Sequence, residues 1–112
     1  MSTIAPRLDR IRALNDVLRT TGLCGRVYLS RAVTSLDEMA RQEILHAVAL
    51  FDDFTDDNDP YGEHDCAIVS SDNYRVMFKI DYFDPSLSRH SEDPSDPKVT
   101  VRVLTIMFPE EY

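Results

Sequence analysis

The chain has 112 residues, 43% of them apolar, and its 12 Lys or Arg stand against 20 Asp or Glu for a net charge of −8. That size and apolar content predict one domain over residues 1–112 whose core needs no staples. They exclude a bilayer span, since no apolar run approaches the roughly 18 residues required, and the acid surplus argues against gripping a nucleic-acid backbone, whose affinity comes from cationic contacts.

The segment STIAPRLDRIR lacks the apolar stretch of a secretory signal, so the expected compartment is the cytoplasm. Ser2 and Thr3 are expected to cap a first helix. Its apolar positions Ile4, Leu8, Ile11, Leu14 or Ala13, Val17 and Leu18 recur at helical spacing, and Arg7, Arg10, Arg12, Asp16 and Arg19 read as the solvated face. Gly22, after two threonines, is a C-terminal stop. The run 25–31, with Val27, Tyr28 and Leu29, reads as a strand.

A second helix is predicted over 36–52. Ser35 and Glu38 have the spacing of a capping box, and Leu36, Met39, Ala40, Ile44, Ala47, Val48 and Phe51 form one apolar face. His46 at its edge reads as a packed or surface residue. Residues 66–70 and 74–83, joined by Ser71-Asp72-Asn73, read as a hairpin, and Tyr74, Val76, Phe78, Ile80 and Tyr82 alternate with Arg75, Met77, Lys79 and Asp81 as a half-buried strand requires. The last strand, 99–108, is apolar on both faces and therefore central, and Pro109 ends it. Between these strands, 84–98 is rich in proline, serine and acid and is expected to be a mobile loop.

The fold class that follows is α+β, with two helices packed on one face of a mostly antiparallel sheet and the order helix-strand-helix-strand-strand-strand. The expected core is Ile44, Val48, Phe51, Val76, Phe78, Ile80, Val101 and Val103. Cys24 and Cys66 fit a reducing compartment, where such a pair reads as two small buried hydrophobes.

Charge is unevenly spread. Residues 1–50 carry seven Arg against five carboxylates, whereas 51–112 carry five cations against fifteen. The stretch 51–65, FDDFTDDNDPYGEHD, has seven acids and no Lys or Arg, and its Asp52, Asp53, Asp56, Asp57, Asp59, Glu63 and Asp65 are the candidate contacts for a basic protein surface. Glycine-rich phosphate loops, nucleophile elbows and paired-cysteine zinc spacing are all missing, and no cofactor is expected. An EF-hand does not fit: with Gly62 at the sixth position, Ile68 occupies the twelfth. A looser divalent site would draw on Asp57, Asp59, Glu63, His64 and Asp65, but no metal is the favoured expectation. A catalytic alternative groups Glu63, His64 and Asp65 with Lys79 and Asp81 as an acid–base centre, against the reading in which the same carboxylates cap turns and His64 braces the loop.

The strings IRALNDVLRTTGLCGRVYLSRAV, FDDFTDDNDPYGEHD, FKIDYFD and EDPSDPKVTVRVLTIMFPEEY together resemble a family of short bacterial proteins of unknown function, numbered three-seven-six-eight in the domain-of-unknown-function series. The resemblance spans nearly the whole chain, with a departure at Cys66-Ala67. It implies no activity. It does imply a setting on plasmids and integrated elements, where proteins that counter host defence are common. The expected function is therefore a non-enzymatic inhibitor of anti-CRISPR or anti-restriction type, whose acidic surface occupies the cationic nucleic-acid site of a host CRISPR or restriction complex. The alternatives are a small hydrolase or metal-dependent enzyme built on Glu63-His64-Asp65, and a generic protein-binding domain.

Overall fold

A computed structural model describes residues 4–112; the caps expected at Ser2 and Thr3 lie outside the described residues. The order is α1 (Ile4–Thr21), β1 (Arg26–Leu29), α2 (Arg31–Thr34), α3 (Glu38–Leu50), β2 (Cys66–Ser70), β3 (Arg75–Phe83), β4 (Val101–Met107) and a closing 3₁₀ turn (Pro109–Glu111). The four strands form one sheet in the order β1-β4-β3-β2. Two of its three pairings are antiparallel, and β1 runs parallel to β4 with Arg26 opposite Val103. The last strand is central, as its two-sided apolar pattern predicts.

Alternation along β3 buries Val76, Phe78, Ile80 and Tyr82 beneath the helices, and Leu104 and Ile106 of β4 pair with Ile80 and Phe78 on that same face. Ile44 and Val48 of α3 and Ile11 and Leu18 of α1 complete the core. Of the expected core residues, Val103 is buried and Val101 partly so, but they pair with Asp81 and Phe83 on the opposite face, so the central strand contributes Leu104 and Ile106 to the helix-facing core. Phe51 packs against the cluster partly buried.

α3 begins two residues later than its sequence suggests. Ser30 caps an intervening turn, α2, which leaves Ser35 in helical backbone geometry with its hydroxyl donating to the carbonyl of Arg31 (2.8 Å). A residue already in a helical turn cannot cap the next helix, and Asp37 takes the role, its carboxylate accepting from the N–H of Ala40 at 2.8 Å. Met39, expected on the apolar face, is 84% exposed, and Cys24 is exposed rather than buried.

At the start of β1 the chain passes so close to its neighbours that a Cβ on Gly25 would lie 2.8 Å from the carbonyl oxygen of Arg102. The hairpin turn is clipped to α3 by Glu43, which accepts from the Ser71 hydroxyl (2.5 Å) and from both the backbone and side-chain N–H of Asn73 (3.0 and 2.8 Å). Those hydrogen bonds hold its carboxyl below the usual range. Residues 84–98 fold back through local bonds: Asp84 accepts from Ser86 and Ser88, buried Ser91 meets Thr100 at 2.7 Å, and Arg102 donates to the carbonyl of Pro94.

Candidate functional site

The acidic stretch is fixed from below by α1. Ile11, Asn15, Leu18 and Arg19 are the buried stripe of that helix, so two residues that look solvated by type sit at core positions. Arg19 Nη1 donates to the carbonyls of Val48 (3.0 Å), Ala49 (3.3 Å) and Phe51 (2.7 Å), satisfying the orphan acceptors at the end of α3. Its Nη2 reaches Asp16 at 3.1 Å, and the guanidinium lies 5.2 Å from the ring centre of Phe54 and 5.8 Å from that of Phe78.

From Phe51 the loop folds on itself. The N–H of Thr55 donates to the Asn58 side chain (2.8 Å), and the Asn58 amide donates to the carbonyl of Asp53 (2.9 Å). Arg12 Nε donates to the carbonyl of Gly62 at 2.6 Å. Gly62 has φ +71°, where an L side chain is strained, and a Cβ there would lie 3.3 Å from Arg12 Nη2. His64 also adopts positive φ (+56°). Its N–H donates to the buried carboxylate of Asp59 (3.2 Å), its ring stacks on Phe54 at 3.9 Å, and its Nδ1 lies 2.9 Å from Asp16 Oδ1. A carboxylate can only accept, so Nδ1 carries the proton.

Beside this anchor runs a second buried chain. Arg102 Nε donates to Asn15 Oδ1 (2.8 Å), Asn15 Nδ2 donates to Tyr82 Oη (2.7 Å) and to the carbonyl of Glu63 (3.0 Å), and Tyr82 Oη donates to Glu63 Oε1 (2.6 Å). Burial, and then the bond to Glu63, push the Tyr82 phenol well above its ordinary range. Burial lowers the Arg102 guanidinium from its ordinary value.

The expected acid–base group is divided by this arrangement. The Glu63 carboxylate is taken by Tyr82 and the His64 ring by Asp16, while Lys79 and Asp81 alternate onto the face turned away from the helices and pair with each other. Asp65 lies half-buried, its carboxyl raised first by burial and then by the negative charge of Glu63. The Cys66 thiol is likewise raised by burial, which suppresses the thiolate. Among the described residues no three His, Cys, Asp or Glu side chains converge as a metal cage.

The candidate contact residues sort by depth. Asp52, Asp53, Asp56 and Asp57 are exposed and, among the described residues, form no ion pair and accept no hydrogen bond through their carboxylates. Asp59 is only 8% exposed and serves the backbone of His64; Glu63 and Asp65 are half-buried. The braces Asn15, Arg19, Tyr82 and Arg102 carry no sequence motif. The signals present are that Asn15 and Arg19 fall on the same helical stripe as Ile11 and Leu18, and that Tyr82 falls on the buried face of the alternating strand.

Residues 29–111 match the model of a family described as Protein of unknown function (DUF3768). No curated protein and no solved structure matches the chain. The match covers well over half of the chain, and the protein belongs to this family.

Proposed function

We propose that this member of the DUF3768 family is a non-enzymatic inhibitor that docks its acidic loop on the cationic nucleic-acid site of a host defence nuclease of CRISPR or restriction type. One observation carries the reading: Asp52, Asp53, Asp56 and Asp57 project from a loop that Arg19, Arg12, Asn58 and Asp59 hold in one shape, and no cation neutralises them among the described residues. Carboxylates held in place by the fold meet a basic channel with little ordering cost and steer the encounter through their shared field. The hydrolase alternative finds less support, because Glu63 and His64 are occupied as braces and Lys79 and Asp81 lie on another face.

The test changes Asp52, Asp53, Asp56 and Asp57 together to Asn in the full chain. Wild-type protein is used to capture partners from a host lysate at low salt, and each captured nuclease is loaded with labelled nucleic acid. Wild type is expected to displace the label, the fourfold variant to displace it at least tenfold less well, and the difference to shrink with added salt as the Debye length falls below about 8 Å. Equal displacement by the two proteins overturns the reading.

A further inference from the structure

The sheet ends in two edges of different character. β1 is four residues long, carries Arg26 and leads at once into α2. β2, at the other edge, is the five-residue run CAIVS, which has no charge and no proline and pairs with β3 without a bulge. Proteins keep sheet edges from pairing with charges, prolines, bulges and covering segments, and β2 carries none of the first three.

The ladder sets what this edge offers. The N–H of Ile80 donates to the carbonyl of Asp65 (2.7 Å), and the N–H of Ser71 donates to that of Tyr74 (2.8 Å). Bonded and non-bonded pairs alternate along an antiparallel ladder, so Asp65, Ala67, Val69 and Ser71 spend their backbone groups on β3, whereas Cys66, Ile68 and Ser70 turn theirs outward. Among the described residues, no other segment pairs with those outward groups. A row of free N–H and C=O groups in strand geometry has one complement, another extended backbone.

We propose that this backbone is β2 of a second copy, paired antiparallel about a two-fold axis through Ile68, so that two sheets join into one. Cys66 then faces Ser70 of the second copy, Ile68 faces its own counterpart, and every outward N–H meets an outward C=O. A two-fold contact requires such self-complementarity, and the edge has it because Ile68 is the middle of the outward residues. Side chains agree with this register. Ile68, 40% exposed, pairs with Met77 and Met77 with Met107 on the face away from the helices, so an apolar row that stops at the open edge continues as the same row in the second copy. On the helix side, Glu43 and Leu50 share one flank of α3, which Glu43 fixes to the hairpin turn. Phe51 packs on Phe78, the partner of Ala67, so Leu50, 66% exposed, lies level with the middle of β2 and near the axis. Asp65 and Asp72 lie just beyond the strand ends and approach each other across the joint, and each copy has a net charge of −8. Salt screens this repulsion, so the dimer tightens as salt is added. The edge is separate from Asp52, Asp53, Asp56 and Asp57 and stands whether or not the acidic loop binds a nuclease.

The experiment is sedimentation of the full chain from about 1 μM to about 1 mM, the span expected for a contact smaller than the roughly 800 Å² per partner of a standard interface, with amide hydrogen exchange at both ends of that range. Wild type is expected to pass from monomer to dimer, more completely at high salt. The amides of Cys66, Ile68 and Ser70 should gain at least tenfold protection on dimerisation, while those of Ala67 and Val69, bonded to β3 throughout, change far less. Ile68→Glu sets like charges together at the axis but lies beside Arg75 and Lys79 within one copy, and Ser70→Pro deletes an outward N–H and no bond to β3. Each should raise the dimer dissociation constant at least tenfold with the dispersed amide spectrum of the folded chain kept; using both guards against one variant failing to fold, and the wild-type exchange pattern decides if both fail. A chain that stays monomeric to about 1 mM overturns the proposal, as does a dimer in which the Cys66, Ile68 and Ser70 amides stay unprotected. Association that weakens with salt overturns it too, because that is the signature of the acidic loop meeting arginines of another copy.

Discussion

Arg19 of α1 donates through Nη1 to the carbonyl of Phe51 at 2.7 Å, so a single side chain of the first helix sets where α3 ends and where the acidic loop starts. That carbonyl and that of Ala49 would lose their partner with any shorter residue at position 19, and that of Val48 would keep only the N–H of Phe51.

Arg19→Met is accordingly expected to destabilise the fold by about 3 kcal/mol, since it orphans the carbonyls of Ala49 and Phe51 and strips Asp16 of its cation. Arg19→Lys should recover less than half, because an ammonium lacks the planar fork that serves two directions at once. Denaturant unfolding of the three proteins measures this. A loss below roughly 1 kcal/mol in the Met variant would show that the guanidinium is not the brace its geometry describes.

Asn15 serves Arg102, Tyr82 and Glu63 simultaneously. Asn15→Leu fills the space but leaves a buried cation short of its acceptor, and the expected cost is again about 3 kcal/mol. Tyr82→Phe removes one hydroxyl from the same chain and should cost about 1 to 2 kcal/mol. In a double-mutant cycle the two losses should be markedly less than additive; simple additivity would mean that the residues do not act as one network.

Asp57 and Asp59 are two positions apart and should behave differently. Asp59→Ala loses the bond to the His64 N–H that holds a non-glycine residue at positive φ, with an expected cost of about 1 to 2 kcal/mol. Asp57→Ala, on the exposed rim, should stay within about 0.5 kcal/mol. Thermal melts of the pair decide the matter, and equal Tm values would contradict the depth assigned to Asp59.

Acid should move two carboxylates in opposite directions. Glu43 is held below its ordinary value by bonds from Ser71 and Asn73, so the stability it contributes is present above the unfolded pKa of about 4.3 and is lost as pH falls through the lower folded value. Asp65 is raised by burial and by Glu63, so the folded chain holds its proton more tightly than the unfolded chain does. The charged form is therefore a liability above the folded pKa, and the penalty fades as pH falls toward the unfolded value of about 3.9. Asp65→Asn should raise Tm at pH 7 with an advantage that disappears near pH 4, whereas Glu43→Gln should lower Tm at pH 7 with a deficit that disappears in acid. Parallel shifts at every pH would refute both assignments.

Much of the architecture was readable in local spacing. The apolar recurrence of Ile44 and Val48, the strict alternation from Val76 to Tyr82, the helix stop at Gly22 and the two-sided apolarity of β4 each depend on residues a few positions apart, and such periodicities arise from backbone geometry that the chain carries everywhere. The acidity of 51–65 was equally plain in the residue order.

How the acidic stretch is held, and which of its carboxylates are exposed, depends on contacts between residues far apart in the chain. Asp59 is buried because a backbone N–H at positive φ needs an acceptor, and Asn15 and Arg19 occupy a core stripe because carbonyls at the end of α3 and the backbone carbonyl of Glu63 converge there. Ser35 lost the cap to Asp37 because a neighbouring turn had already bent the backbone. Val103 turned from the helices because β4 pairs with β1 some 77 residues earlier in register with Arg26. A buried polar group is tolerated only where distant partners satisfy it, and no pattern within a few residues of it states where those partners will be.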